Sequence, residues 1–272
     1  MIAGVLRIPH VDKGRLPAVV LLHGSGGPGC NIPYWEDRLN AAGIATFALD
    51  AFTGRGIVET IDDQEQLGRL SSVVDVYRAL DILAARPLID GGRVALMGFS
   101  RGGQVTLYAS VTRFQKMHAP SSLRYAAYLP FYPSCAITFI DDTVVGEAPI
   151  RIFHGAADDW VPISYTREHV ARLKAAGADV ELFEYEGAFH AFDNPANSPT
   201  KHYPNAATAR NTRMIEIAPG RLVDPATGES FTWNDPRVAR GAHAGYNAAA
   251  AAAATETVVD FLTSTFKSNS VV

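Results

Sequence analysis

A serine held between two glycines is the first feature of this sequence that could carry chemistry. The stretch VALMGFSRGG places Ser100 where strand-forming residues give way to a run that favours a helix, with Gly98 and Gly102 on either side. At such a sharp turn the serine hydroxyl rises above the sheet edge, and larger neighbours would clash. The N-terminus of the following helix also favours negative charge there. The pattern therefore predicts a nucleophile at Ser100.

A serine hydroxyl becomes an effective nucleophile only when a neighbouring base takes its proton. Among the 8 histidines, His190 in YEGAFHAFDNP is the best candidate, because it follows the last predicted strand. The base needs a carboxylate that orients it. HGAADDWVP offers Asp158 and Asp159 directly after another strand, and spacing alone does not separate them. The order serine, acid, histidine is one of the known chain orders of catalytic triads.

Two N–H groups must also bind the oxyanion that forms during such a reaction. One is expected from Arg101, directly after the serine. The second is expected from the glycine-rich stretch HGSGGPG, where Ser25 or Gly26 could supply it. We assign it to Ser25 and expect Gly26 to contact the substrate. A phosphate-binding loop is the alternative interpretation, but the lysine of a P-loop is missing. For the Arg101 side chain we expect a structural salt bridge, with attraction of an anionic substrate as the alternative.

Composition narrows the function classes. The 272 residues are 47% hydrophobic and 19% charged, with a net charge of −4, so neither nucleic acid nor a membrane is an expected partner. The first residues lack a signal-peptide pattern, which favours the cytoplasm; a periplasmic or secreted location would require a leader already removed. Cys30 and Cys135 lack metal-site spacing, and we expect free thiols, with one disulfide as the alternative. No metal or other cofactor is expected.

The elements that must position these residues alternate between strands and helices, which predicts a mostly parallel sheet with helices on both faces. Strands are predicted at 18–24, 44–50, 93–99, 125–132, 149–155 and 179–187. Helices are predicted at 34–43, 62–87, 101–114, 164–177 and 245–266. The segment 194–243 breaks this alternation and is interpreted as a long inserted loop containing a hairpin. We expect a single domain over 1–272, with this insertion before the last helix.

Five stretches together resemble the α/β-hydrolase superfamily and, within it, the dienelactone hydrolase family: PAVVLLHGSGG, FALDAFTGRG, RVALMGFSRGG, HGAADDWVP and YEGAFHAFD. The resemblance implies the α/β-hydrolase fold over nearly the whole chain. The family pattern G-x-x-D-x-x-V-P selects Asp158 as the triad acid, and the family histidine falls on His190. Two positions depart from the family: its elbow carries cysteine where this chain has Ser100, and its substrate-binding arginine falls one residue earlier than Arg55.

The resemblance implies a serine hydrolase that cleaves carboxylic esters or lactones through an acyl-enzyme, with a small-molecule substrate. Arg55, Trp160 and Tyr132 are candidates for substrate contact, and core packing is the alternative for the two aromatic residues. One alternative function is a prolyl-oligopeptidase-type peptidase, which shares the fold and triad but usually carries a further large domain. The other is a non-catalytic binding protein on the same fold. Oligomeric state and acyl and alcohol specificity stay open.

Overall fold

A seven-stranded sheet forms the centre of the computed structural model, which describes residues 3–10, 14–29, 31–68 and 70–268. In chain order the described strands are β1 (Ala3–Arg7), β2 (Leu16–Leu22), β3 (Ala45–Asp50), β4 (Ile89–Phe99), β5 (Ala127–Phe131), β6 (Ile137–Thr138), β7 (Ile150–Gly155), β8 (Val180–Tyr185), β9 (Lys201–Ala207), β10 (Met214–Ala218), β11 (Arg221–Val223) and β12 (Arg240–Ala244). The described α-helices are α1 (Asn31–Ala41), α2 (Ser71–Ala84), α3 (Arg101–Ala109), α4 (Thr112–His118), α5 (Ile163–Ala175) and α6 (Ala248–Ser268).

The central sheet has the order β1-β3-β2-β4-β5-β7-β8. Strand β1 pairs antiparallel with β3, and the other neighbours pair in parallel. The sequence did not predict β1, which joins at the edge through Ala3 opposite Asp50 to Arg7 opposite Thr46. Because the remaining strands run in parallel, their carboxyl ends meet at one edge of the sheet, where ligands bind in open α/β sheets.

Helices cover both faces of this sheet, as predicted. Successive residues of a strand point to opposite faces, and in β2 Val20 packs in the core on one side while Leu21 packs in the core on the other. The first core includes residues of α2 and α3, such as Val76. The second includes residues of α1 and α6, such as Trp35 and Leu262. The apolar runs of the strands reflect this burial on two sides.

The predicted helix 62–87 is too long, because its first part folds differently. A 3-10 turn spans Gln64–Gln66, and the chain is extended at Leu67 before α2 begins. The backbone carbonyls of Gln64 and Leu67 accept hydrogen bonds from the guanidinium of Arg101, so they face α3 rather than a helical turn of their own. The predicted helix 101–114 is likewise divided into α3 and α4.

The segment between β8 and α6 folds against the body of the protein. Strands β9 and β12 pair antiparallel, and β10 and β11 form the expected hairpin. Strand β10 also pairs in parallel with β6. Ala207, Met214 and Trp233 from this segment are buried in the first core, together with residues of α2 and α3. Its packing therefore makes it part of the core as well as of the surface.

Cys135 is a buried free thiol, and Cys30 lies outside the described residues.

Packing of α6 on the sheet leads to a first prediction. Leu262 is fully buried between α6 and the strands, so Leu262→Ala should lower the free energy of unfolding by about 2–5 kcal/mol. Ser264→Ala, on the exposed side of the same helix, should change it by no more than about 0.5 kcal/mol. Urea unfolding of both variants measures the difference, and equal effects would contradict this placement of α6.

Candidate active site

Ser100 lies in the tight turn between β4 and α3, and its backbone conformation is one that residues other than glycine rarely adopt, with φ 55° and ψ −112°. The neighbouring glycines are required by close packing. A Cβ on Gly98 would lie 2.2 Å from the carbonyl oxygen of Gly102, and a Cβ on Gly102 would lie 2.3 Å from that of Leu22. The Ser100 N–H donates to the Phe131 carbonyl at 2.9 Å. These contacts hold the serine in its strained turn.

Three predicted residues meet in one hydrogen-bonded chain. Ser100 Oγ lies 2.9 Å from His190 Nε2, and His190 Nδ1 lies 2.7 Å from Asp158 Oδ2. Each residue comes from a loop at the carboxyl end of a parallel strand: Ser100 after β4, Asp158 after β7 and His190 after β8. The arrangement has the geometry in which a base can take the serine proton while a carboxylate orients that base.

Asp158 is buried, and its surroundings keep the carboxylate charged. Its Oδ1 accepts the N–H groups of Trp160 at 2.9 Å and Val161 at 2.8 Å. Its Oδ2 also lies 3.5 Å from His154 Nε2. Burial by itself would raise the pKa of Asp158, but His190 and the hydrogen bonds from His154 and His190 outweigh it and hold the pKa below its ordinary value. The carboxylate can therefore stabilise an imidazolium at His190.

Asp159, the other candidate acid, has a different partner. Its Oδ1 accepts the N–H of His243 at 2.9 Å, and its Oδ2 lies 2.8 Å from His243 Nδ1. His243 belongs to β12, so Asp159 ties the loop after β7 to the segment before α6. The two adjacent aspartates, which spacing could not distinguish, thus face different histidines.

Tyr132 and Trp160 enclose the ring of His190. The ring centroids of His190 and Tyr132 are 4.7 Å apart in an edge-to-face arrangement, and those of His190 and Trp160 are 5.0 Å apart. Tyr132 donates through its hydroxyl to Asp193 Oδ1 at 2.6 Å. Trp160 donates through Nε1 to the Ala207 carbonyl at 3.0 Å. Both residues were predicted to contact substrate, and in the structure they line the cavity above Ser100 while also packing against His190.

Among the described residues, the backbone N–H groups of Ser25 and Arg101 have no hydrogen-bond acceptor, as their predicted role as oxyanion donors requires. The loop that carries Ser25 is held by the Thr60 N–H, which donates to the Ser25 carbonyl at 2.7 Å. The Arg101 guanidinium does not make the expected salt bridge with any described residue and donates instead to Gln64 and Leu67. Burial lowers the pKa of Arg101 to about 10, so the side chain stays charged at neutral pH.

Gln64, which the sequence did not single out, links the two proposed oxyanion donors. Its Oε1 accepts from Arg101 Nη1 at 3.0 Å, and its Nε2 donates to Ser25 Oγ at 3.1 Å. Its Nε2 also lies 2.6 Å from the carbonyl of Thr60. No local pattern marks a glutamine within a polar turn as a residue of the site; only the long-range contact to Arg101 could have identified it.

Two cavities meet at Ser100. The outer cavity, of about 350 Å³, includes Gly26, Tyr132, Trp160 and His190 in its wall, together with Ser100. The inner pocket is much smaller, about 20 Å³. Its walls include Ser25, Gln64, Ser100, Arg101, Ser134 and Trp233. Ser134 and Trp233 are further residues of the site that sequence reasoning missed, and both come from outside the motifs.

Arg55 is the one predicted substrate contact that the structure does not bring to the site. Its guanidinium is paired with Asp75, with Nη1 2.8 Å from Oδ2, and it also donates to the Ala51 carbonyl at 2.7 Å. It lines neither the outer cavity nor the inner pocket. The ion pair explains its position, because it fixes the loop after β3 against α2.

Within the described ranges, no group of three or more His, Cys, Asp or Glu side chains could hold a metal ion. Of the helices in the part of the chain that the structure describes, none combines the length and apolar character needed to cross a membrane.

Comparison with known proteins places these features in a family. The model of the dienelactone hydrolase family matches residues 2–218. A candidate carboxymethylenebutenolidase of Methylorubrum extorquens is 26% identical over 222 residues, which cover 71% of this chain and 72% of the relative. Another from Escherichia coli is 28% identical over 226 residues, which cover 76% of this chain and 78% of the relative.

Solved structures show the same fold. A candidate dienelactone hydrolase of Klebsiella pneumoniae superposes with a TM-score of 0.58 at 19% identity, covering 72% of this chain and 90% of the other. An esterase of Thermogutta terrifontis superposes with a TM-score of 0.56 at 23% identity, covering 71% of this chain and 81% of the other. The predicted α/β-hydrolase fold is therefore confirmed.

The charge of Asp158 should make a pH-dependent contribution to stability. Because its pKa in the folded protein lies below its value of about 3.9 in an unfolded chain, the charge stabilises the fold above that pH, and the contribution is lost as the pH falls. We expect the difference in free energy of unfolding between wild type and Asp158→Asn to narrow as the pH falls below about 5. Urea unfolding across this range measures it; a constant difference down to about pH 3.5 would contradict the lowered pKa.

Proposed function

The chain belongs to the dienelactone hydrolase family and is a hydrolase of carboxylic esters or lactones; on that premise we propose that Ser100 is its nucleophile and forms an acyl-enzyme. The observation that carries the proposal is the hydrogen-bonded chain from Ser100 Oγ through His190 to Asp158, at 2.9 Å and 2.7 Å. Family membership supplies the reaction class, and this geometry supports serine in place of the family's cysteine.

Acylation begins when Ser100 Oγ attacks the substrate carbonyl carbon and His190 Nε2 takes the hydroxyl proton. The carbonyl electron pair moves to oxygen, which becomes the oxyanion of a tetrahedral intermediate. When that intermediate collapses, the bond to the alcohol oxygen breaks, and His190 gives its proton to the leaving alcohol. The acyl group stays on Ser100 as an ester.

Deacylation repeats these steps with water. His190 takes a proton from a water molecule as it attacks the acyl carbon, and a second oxyanion forms. Its collapse breaks the bond to Ser100 Oγ, which recovers its proton from His190, and the carboxylic acid leaves. No cofactor is required for either half of this reaction.

Asp158 and two backbone N–H groups support both steps. The Asp158 carboxylate keeps Nδ1 of His190 protonated, so that Nε2 faces the serine as a base. The N–H groups of Ser25 and Arg101 stabilise the oxyanion, and the loss of one such donor typically costs about 2.7–4 kcal/mol of transition-state stabilisation. Gly26 and Trp160 line the outer cavity and are suitable for contact with the substrate.

Neither alternative function is favoured by the family assignment. A peptidase of the prolyl-oligopeptidase type and a non-catalytic binding protein would both use this fold, but the family model describes an ester or lactone hydrolase. The relatives are named as candidate carboxymethylenebutenolidases, and that name denotes action on a butenolide, which is a lactone. Simple aryl esters are therefore suitable first substrates, and lactones are the next class to test.

Removal of the nucleophile is the direct test of this proposal. Ser100→Ala should reduce the hydrolysis of p-nitrophenyl acetate by at least about a thousandfold while the folded structure is kept, because it removes the hydroxyl that is hydrogen-bonded to His190 Nε2. Wild type, but not the variant, should also be labelled by a fluorophosphonate probe. Turnover by Ser100→Ala close to that of the wild type would contradict the assignment.

The adjacent aspartates provide a matched pair for testing the triad acid. Asp158→Asn should lower kcat by about 10³–10⁴-fold, because an amide can neither stabilise the imidazolium nor fix the correct tautomer of His190. Asp159 contacts His243 instead. The Asp159→Asn variant should therefore retain kcat within about threefold of wild type. Steady-state rates on p-nitrophenyl acetate distinguish the two, and equal losses would contradict the choice of Asp158.

A further inference from the structure

Only one of the two cavities that meet at Ser100 contains the catalytic base proposed above. The wall of the outer cavity includes both Ser100 and His190. The wall of the inner pocket includes Ser100 and both oxyanion residues, Ser25 and Arg101, but His190 does not line it. A group in the outer cavity therefore lies beside His190, whereas a group in the inner pocket does not.

The direction of proton transfer determines which cavity receives which half of an ester. When the acyl bond to the alcohol breaks, the leaving oxygen must take a proton from His190, so it must lie within hydrogen-bond reach of that residue. The alcohol half therefore occupies the outer cavity, on the side of His190. The acyl half then points away from His190, into the inner pocket, while the oxyanion lies at Ser25, which lines both cavities.

The inner pocket is large enough for only one small group. Its volume of about 20 Å³ is close to what a single water molecule requires, and a methyl group is of similar size. The outer cavity, at about 350 Å³, holds a much larger group. An acyl chain of two carbons fits the inner pocket, whereas each further methylene would have to displace side chains.

Trp233 and Gln64 separate the inner pocket from a third cavity. That cavity, of about 300 Å³, shares these two residues with the inner pocket, and its remaining walls are mainly apolar, including Leu70, Phe139 and Phe231. Trp233 is held in place by its backbone N–H, which donates to Glu65 Oε1. A longer acyl chain has room only beyond this partition.

We propose, on the basis of the proposed function, that the enzyme acts on two-carbon acyl esters of larger alcohols, with the inner pocket as acyl site and Trp233 as the residue that limits acyl length. The alcohol half lies in the outer cavity. The sequence segment inserted before the last helix thus supplies the side chain that determines acyl specificity, while the proposed catalytic residues come from the carboxyl ends of sheet strands.

The wild-type enzyme tests the size limit with p-nitrophenyl esters of acetate, propionate, butyrate and octanoate, so that the alcohol stays constant. We expect kcat/KM to fall about tenfold or more for each methylene beyond acetate, as for a group that does not fit its pocket. Octanoate turned over as well as acetate would overturn the inference and leave the proposed function standing. Absence of turnover on every ester would overturn the proposed function and the inference together.

Two variants of the partition test the role of Trp233. Trp233→Ala joins the inner pocket to the apolar cavity, so butyrate and octanoate should approach acetate to within about threefold in kcat/KM. Trp233→Leu, which keeps an apolar side chain in the core, should extend the range by one or two carbons. Leu222→Ala enlarges the apolar cavity at a residue that does not line the inner pocket, and its profile should match wild type. An unchanged profile in both Trp233 variants, with folding verified by circular dichroism, would overturn the assignment.

Discussion

A carboxylate that stays charged although it is buried is the interaction on which the site depends. Asp158 is removed from water, and an isolated charge there would be strongly unfavourable. The N–H groups of Trp160 and Val161, together with His154 and His190, provide the compensation. That compensation requires the loops after β7 and β8 to meet, and the turn after β4 to present Ser100 to the same histidine. The parallel sheet makes this convergence possible, because its strands end at a common edge.

The sequence allowed prediction of those parts of the site that local constraints define. Ser100 was predictable because only glycines fit beside a serine in so tight a turn, and His190 because a loop after the last strand reaches the sheet edge. Asp158 was selected only with the help of the family resemblance. The parallel sheet was predictable from buried strands alternating with helices. The edge strand β1 was not, because its short, exposed run carries little apolar signal.

The parts that could not be predicted depend on contacts between distant residues. The break in the helix expected at 62–87 follows from Arg101, more than thirty positions along the chain, whose guanidinium holds the carbonyls of Gln64 and Leu67. Arg55 was expected at the substrate and instead pairs with Asp75. Trp233 belongs to a segment interpreted as an inserted loop, yet its ring is buried in the core. Each outcome rests on a tertiary partner that no local pattern reveals.

The hydrogen bonds of Gln64 have a consequence for how this enzyme can be tuned. One amide side chain holds Ser25 on one side and Arg101 on the other, and it also anchors its own turn through Thr60. The two proposed donors for the oxyanion are therefore linked mechanically, although Ser25 lies on a loop and Arg101 at the start of α3. A displacement of the 60–67 turn would move both at once. Evolution could adjust the reaction rate through that turn and leave the proposed nucleophile, base and acid untouched.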